Sequence, residues 1–188
     1  MKGFIVAIIL LLPFHAHAEW RVLSKNINEM DGSFWITAIS PDTKPTTPMD
    51  FPYHNLRSAL RFQCESDGWN FSSWFSLSPN LTNDNTQSGY NQSVNRIRFD
   101  TDKNPSSLAM FQVWGSEFLS YRFGNWVFPD PHEGTTFMSK TTFMSKIKAT
   151  NTMLLELHWH GKGSVIFRYS LAGANKAISQ AMDACGIK

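Results

Sequence analysis

Four sets of residues carry side chains that could do chemistry. Glu156, His158 and His160 fall at alternate positions, so a strand would present a carboxylate and two imidazoles on one face. Such a set could hold zinc or copper, yet the spacing matches no specific metalloprotein motif. The wet face of a half-exposed sheet carries the same residue types, and no metal is assigned. Arg96, Arg98 and Asp100 alternate in the same way. They could bind an acidic ligand, or form cross-strand ion pairs on a solvated face, each worth little.

Cys64 and Cys185 are the two cysteines of the chain. Neither stands in a nucleophile motif, and two cysteines in an oxidising compartment most simply pair with each other. Among the seven tryptophans, Trp69, Trp74, Trp114, Trp126 and Trp159 could include a stacking platform for sugars. Most should be core, because aromatic side chains dominate burial in a β-sandwich. The chain contains no G-x-S-x-G, H-E-x-x-H, P-loop or G-x-G-x-x-G pattern. No catalytic residue and no cofactor are therefore assigned.

These residues need elements to hold them. Asn151–Gly173 alternates strictly: Leu155, Leu157 and Trp159 against Glu156, His158 and His160. After Gly161-Lys162-Gly163 the alternation resumes, with Val165, Phe167, Tyr169 and Leu171 on one face and Ile166 as the apolar exception on the other. Period two on both sides of a Gly-bracketed turn predicts a β-hairpin. Earlier strands are expected at Trp20–Asn26, Phe34–Ile39, Ala59–Cys64, Trp69–Leu77 and Arg96–Asp100. A hairpin around Gly115-Ser116 is expected within Phe111–Phe123, and a short edge piece at Trp126–Phe128. Ser40–Pro52, with four prolines, and the Asn-rich Ser78–Gln92 read as loops.

Thr135–Lys140 and Thr141–Lys146 are both TTFMSK. Six residues turn a helix by about 600°, so the two Phe-Met pairs cannot share one face. One copy is expected to pack within a short helix before the last hairpin, the other to extend it or bulge. Ala174–Ala184 predicts a C-terminal helix with Ile178, Ala181, Met182 and Cys185 on one stripe. Cys64 ends an apolar strand face, so a Cys64–Cys185 disulfide would staple that helix to the sheet. The fold expected is mostly β: an antiparallel β-sandwich-like single domain of about eight to ten strands.

Residues 1–18 read as a signal peptide: Lys2, an apolar run from Phe4 to Leu12 and an A-x-A site at Ala16-His17-Ala18. Residues 19–188 would then be one secreted β-rich domain in the periplasm. No later apolar run is long enough for a membrane span. The formal charge is +2, which gives no reason to expect nucleic acid.

Trp20-Arg21-Val22, Leu60-Arg61-Phe62-Gln63-Cys64, Arg98-Phe99-Asp100, a short helix leading into Leu154-Leu155-Glu156-Leu157, and Phe167-Arg168-Tyr169-Ser170-Leu171-Ala172-Gly173-Ala174 before a last helix and Cys185 form an ordered set. In that order the chain resembles the VasI/TagO family of type VI secretion-associated periplasmic proteins. More loosely, it is similar to the invasion-associated locus B proteins. The resemblance implies a non-enzymatic accessory protein acting by contact with an envelope protein or cell-wall component, and it transfers no catalytic residue. The loops at Ser40–Pro52 and Ser78–Gln92 and the TTFMSK duplication depart from the family pattern. Two other classes fit the same residues. One is a prophage- or plasmid-encoded envelope protein blocking a receptor or DNA entry. The other is a metal- or glycan-binding module using the histidine face or the tryptophans.

Overall fold

The computed structural model describes residues 19–23, 25–65, 68–81, 92–122 and 138–187. The expected signal peptide, the edge piece at Trp126–Phe128 and most of the Asn-rich loop lie outside them. The described residues form ten strands and two helices. The strands are β1 (Arg21–Val22), β2 (Asn26–Ile27), β3 (Phe34–Ile39), β4 (Ser58–Glu65), β5 (Gly68–Phe75), β6 (Gln92–Phe99), β7 (Ser106–Trp114), β8 (Glu117–Arg122), β9 (Thr152–Trp159) and β10 (Gly163–Ser170). Helix α1 (Lys140–Ala149) precedes the last hairpin, and α2 (Ala174–Ala184) follows it. The mostly antiparallel β fold with these two helices is the one expected.

All strands join one open antiparallel sheet in the order β1-β3-β4-β5-β8-β7-β6-β9-β10, with β2 also on β3. A sheet this wide twists and curls rather than staying flat. Here it curls until β10 faces β4 and β5. The Phe167 ring lies 5.5 Å from Phe75, edge to face, and the Tyr169 hydroxyl meets Ser58 Oγ at 2.7 Å. Ser58 Oγ already donates to the Trp74 carbonyl, so Tyr169 is the donor to Ser58. The Pro-rich segment is not a free loop. Thr43 bridges to Ser58 and Pro45 to Phe167, and Thr46 N donates to the Ile166 carbonyl at 2.8 Å. It thus straps β4 to the outer edge of β10 and covers an edge that would otherwise invite pairing.

The expected first strand is split. Three residues separate Val22 from Asn26, while two separate their partners Ala38 and Trp35. The register against β3 therefore shifts by one residue between the two pieces. Both pieces still pair with β3.

Inward residues of the hairpin arms build the core. Leu155, Leu157, Trp159, Phe167 and Tyr169 are fully buried, beside Phe62, Phe75 and Phe99. The helices fill what remains of the concave side. Ser139 caps α1, its Oγ accepting from Thr142 N. From α1, Phe143 packs with centroids 4.8 Å from Phe71 and 4.6 Å from Tyr121. The second TTFMSK copy therefore supplies the packed Phe143. Of the first copy, Ser139 becomes the cap and Lys140 the first helical residue, while Thr135–Phe137 lie outside the described residues. Helix α2 lays Ala174, Ala177, Ile178 and Ala181 on the core, and Met182 and Cys185 are half-buried against it. Cys185 forms a disulfide with Cys64 across 121 positions of sequence, with Cα atoms 6.3 Å apart. Gly173 opens α2 at φ +79°, a left-handed conformation that favours glycine, and a Cβ there would sit a tight 3.2 Å from Glu19 Cβ. Among the described residues, no helix is long and apolar enough to cross a membrane.

Candidate functional site

The outer face of β6, β9 and β10 gathers most of the residues singled out above. Register fixes the arrangement. Arg98, Leu154 and Arg168 form one cross-strand row; Arg96, Glu156 and Ile166 form the next. His158 and Ser164 are paired one row further on. Because the period is two, every one of these side chains points away from the core. The face is bordered at the β6 end by Pro105. Together Arg96, Arg98, Pro105, Leu154, Glu156 and Ile166 line an open groove of about 250 Å³.

The chemistry of this face is asymmetric. Arg96 is paired: its guanidinium meets Glu156 Oε2 at 2.5 Å, and Ser164 Oγ donates to Glu156 Oε1. Partial burial pushes the Glu156 carboxyl up, but the Ser164 hydroxyl and the Arg96 guanidinium outweigh it and hold the group below its ordinary range. Asp100, just past β6, uses Oδ2 to accept from Asn151 N at 3.0 Å. Arg98 and Arg168 are exposed and, among the described residues, neither has a carboxylate within ion-pair distance. The Arg168 carbonyl accepts from Thr43 Oγ1 at 2.8 Å, fixing its backbone on the strap. Leu154 and Ile166 are only half-buried. The result is a small apolar floor beside two arginines that have no ion-pair partner among the described residues.

The three residues with metal-binding potential do not come together. Glu156 is held by Arg96 and Ser164, His158 stays on the strand face, and His160 lies beyond the end of β9 in the exposed turn. No group of three or more His, Cys, Asp or Glu side chains among the described residues could hold a metal ion. The cross-strand pairing considered for Arg96 is present. Arg98 and Asp100 do not join it.

Three of the five tryptophans considered for a sugar platform can be placed. Trp69 and Trp159 are buried and Trp74 is half-buried; the Trp114 side chain and Trp126 lie outside the described residues. Among the described tryptophans, Trp35, 38% exposed, sits opposite Glu65 on the outer side of β3. Nothing in its sequence neighbourhood distinguished it, since Phe34–Ile39 is apolar on both faces. Arg168 was missed for a related reason. Its role depends on which strand lies beyond β9, and only the sheet order supplies that.

No family model, curated protein or solved structure matches the chain.

Proposed function

We propose that the chain is an exported, non-enzymatic binding protein of the cell envelope, working in the periplasm by contact with an envelope protein or cell-wall component. The observation that carries this reading is the Arg98–Leu154–Arg168 row. Among the described residues it leaves Arg98 and Arg168 without a carboxylate at ion-pair distance, with Arg168 at the margin of the groove that Arg98, Leu154 and Ile166 line on the outer face of the sheet. Exposed arginine beside apolar surface is the composition of contact surfaces. The Cys64–Cys185 disulfide supports export, since such bonds persist in oxidising compartments. The resemblance to the type VI secretion-associated VasI/TagO proteins supports the accessory role.

Two measurements test it. Mass spectrometry of the exported protein should give an N-terminus near Glu19, and protein recovered from the periplasm with Met1 intact would contradict export. A photoreactive residue at Ser170, exposed on the same face as Arg168, should give discrete adducts in the envelope. The same residue at Lys176, exposed on α2, should not. Equal labelling from both positions, or none from Ser170, would contradict the contact.

A further inference from the structure

We infer that the groove on β6, β9 and β10 binds an acidic, extended polypeptide segment of a partner protein, placing one carboxylate between Arg98 and Arg168 and apolar side chains on Leu154 and Ile166. The inference rests on the contact function proposed above and names its ligand.

Position comes first. Arg98 and Arg168 stand in register on either side of Leu154. Strands repeat every ~4.8 Å, so their Cα atoms are roughly 10 Å apart, and two long side chains can converge over the residue between them. Each guanidinium offers planar paired donors that match a carboxylate. Charge comes second. The face holds three arginines and, with Asp100 at its margin, two carboxylates. Glu156 is occupied by Arg96 and Ser164, and Asp100 by Asn151 N. A backbone N–H does not cancel the Asp100 charge, so the face keeps one net positive charge, and among the described residues Arg98 and Arg168 stand outside any ion pair. The neighbouring row leaves Ile166 beside the engaged Arg96–Glu156 pair, so apolar and charged requirements alternate along the groove. An extended chain with alternating side chains meets that pattern.

The numbers of charges separate this ligand from other anions. Membrane surfaces are held by clusters of about 4–8 basic residues, and nucleic acid by many phosphate contacts. Two free arginines over an apolar floor suit a single carboxylate flanked by aliphatic residues.

The probe is a short fluorescein-labelled peptide alternating glutamate with valine, compared with its glutamine counterpart, by fluorescence anisotropy at low and high salt. The glutamate peptide should bind about tenfold tighter or better, and the preference should shrink with salt. Arg98→Gln and Arg168→Gln should each remove most of the preference, whereas Lys176→Gln, exposed on α2 away from the groove, should change it little. Circular dichroism and thermal midpoints of the variants control for folding. Equal binding of both peptides, no binding, or an unchanged preference in the Arg98→Gln/Arg168→Gln variant would overturn the inference. So would tighter binding to phosphatidylglycerol vesicles or heparin than to the peptide. Discrete Ser170 adducts without a peptide preference would overturn this ligand and leave the contact function standing; loss of the adducts as well would remove both.

Discussion

The two faces of β6, β9 and β10 use the same backbone and opposite chemistry. Inward, Ile97, Phe99, Leu155, Leu157, Phe167 and Tyr169 are wholly excluded from water. Outward, Arg98, Leu154, Ile166 and Arg168 remain open or half-open. Burial energy depends on area removed from water, so nearly all stabilisation from these strands comes from the inner set. The outer set is left free to be chosen for something else. The comparison teaches that stability and contact separate residue by residue along one strand. Substitutions one position apart should therefore have different readouts.

The inner face should break first. Phe167→Ala removes a ring packed against Phe75 and Tyr169. It should cost about 3–5 kcal/mol in denaturant unfolding. A cost below about 1 kcal/mol would mean that β10 does not close over β5. Cys185→Ser opens a link spanning 121 positions and should cost about 2–5 kcal/mol. Hydrogen exchange should then loosen α2 first. Two free thiols after unfolding the oxidised protein without reductant would refute the bond. Ser58→Ala takes away the acceptor of the fully buried Tyr169 hydroxyl and should cost about 1–3 kcal/mol. Ser58→Thr, which keeps a hydroxyl, should recover part of it.

The outer face should barely register. Arg98→Gln and Arg168→Gln should each change stability by no more than about 0.5 kcal/mol. Glu156 gives the smallest effect, with a defined pH sign. Its folded pKa is held below the ordinary value, so its contribution is present above the unfolded carboxylate range and is lost as pH falls through the folded value. Screening at the surface limits that contribution to well under about 1 kcal/mol. The stability gap between wild type and Glu156→Gln should be full above about pH 5 and vanish on acidification below the ordinary Glu pKa of about 4.3. A gap that grew on acidification would contradict the pairing with Arg96.

Much of this was legible because alternation is a local signal. The last hairpin, its inward set, the bounds of α2 and the partnership of the cysteines follow from residues a few positions apart or from counting to two. What was not legible depends on neighbours far away in sequence. Ser58 lies just before the expected strand, and Ser72 and Ser73 read as polar strand positions, yet all three are buried, because packed strands or hydrogen-bond partners cover them. The Pro-rich segment reads as a loop, and its bridges to Ser58 and Phe167 exist only once the sheet has curled. The register shift between Val22 and Asn26 is visible only against β3. Arg96, Arg98 and Glu156 stood out singly. That Arg168 completes a row with Arg98 required knowing that β9 lies between β6 and β10.

The most direct test of the contact face compares Ser170 photo-crosslinking in otherwise wild-type protein with the same experiment in an Arg98→Glu/Arg168→Glu background, alongside their unfolding midpoints. The account predicts that the discrete adducts disappear while stability stays within about 1 kcal/mol of wild type. Adducts that persist in the charge-reversed background, at unchanged stability, would contradict it.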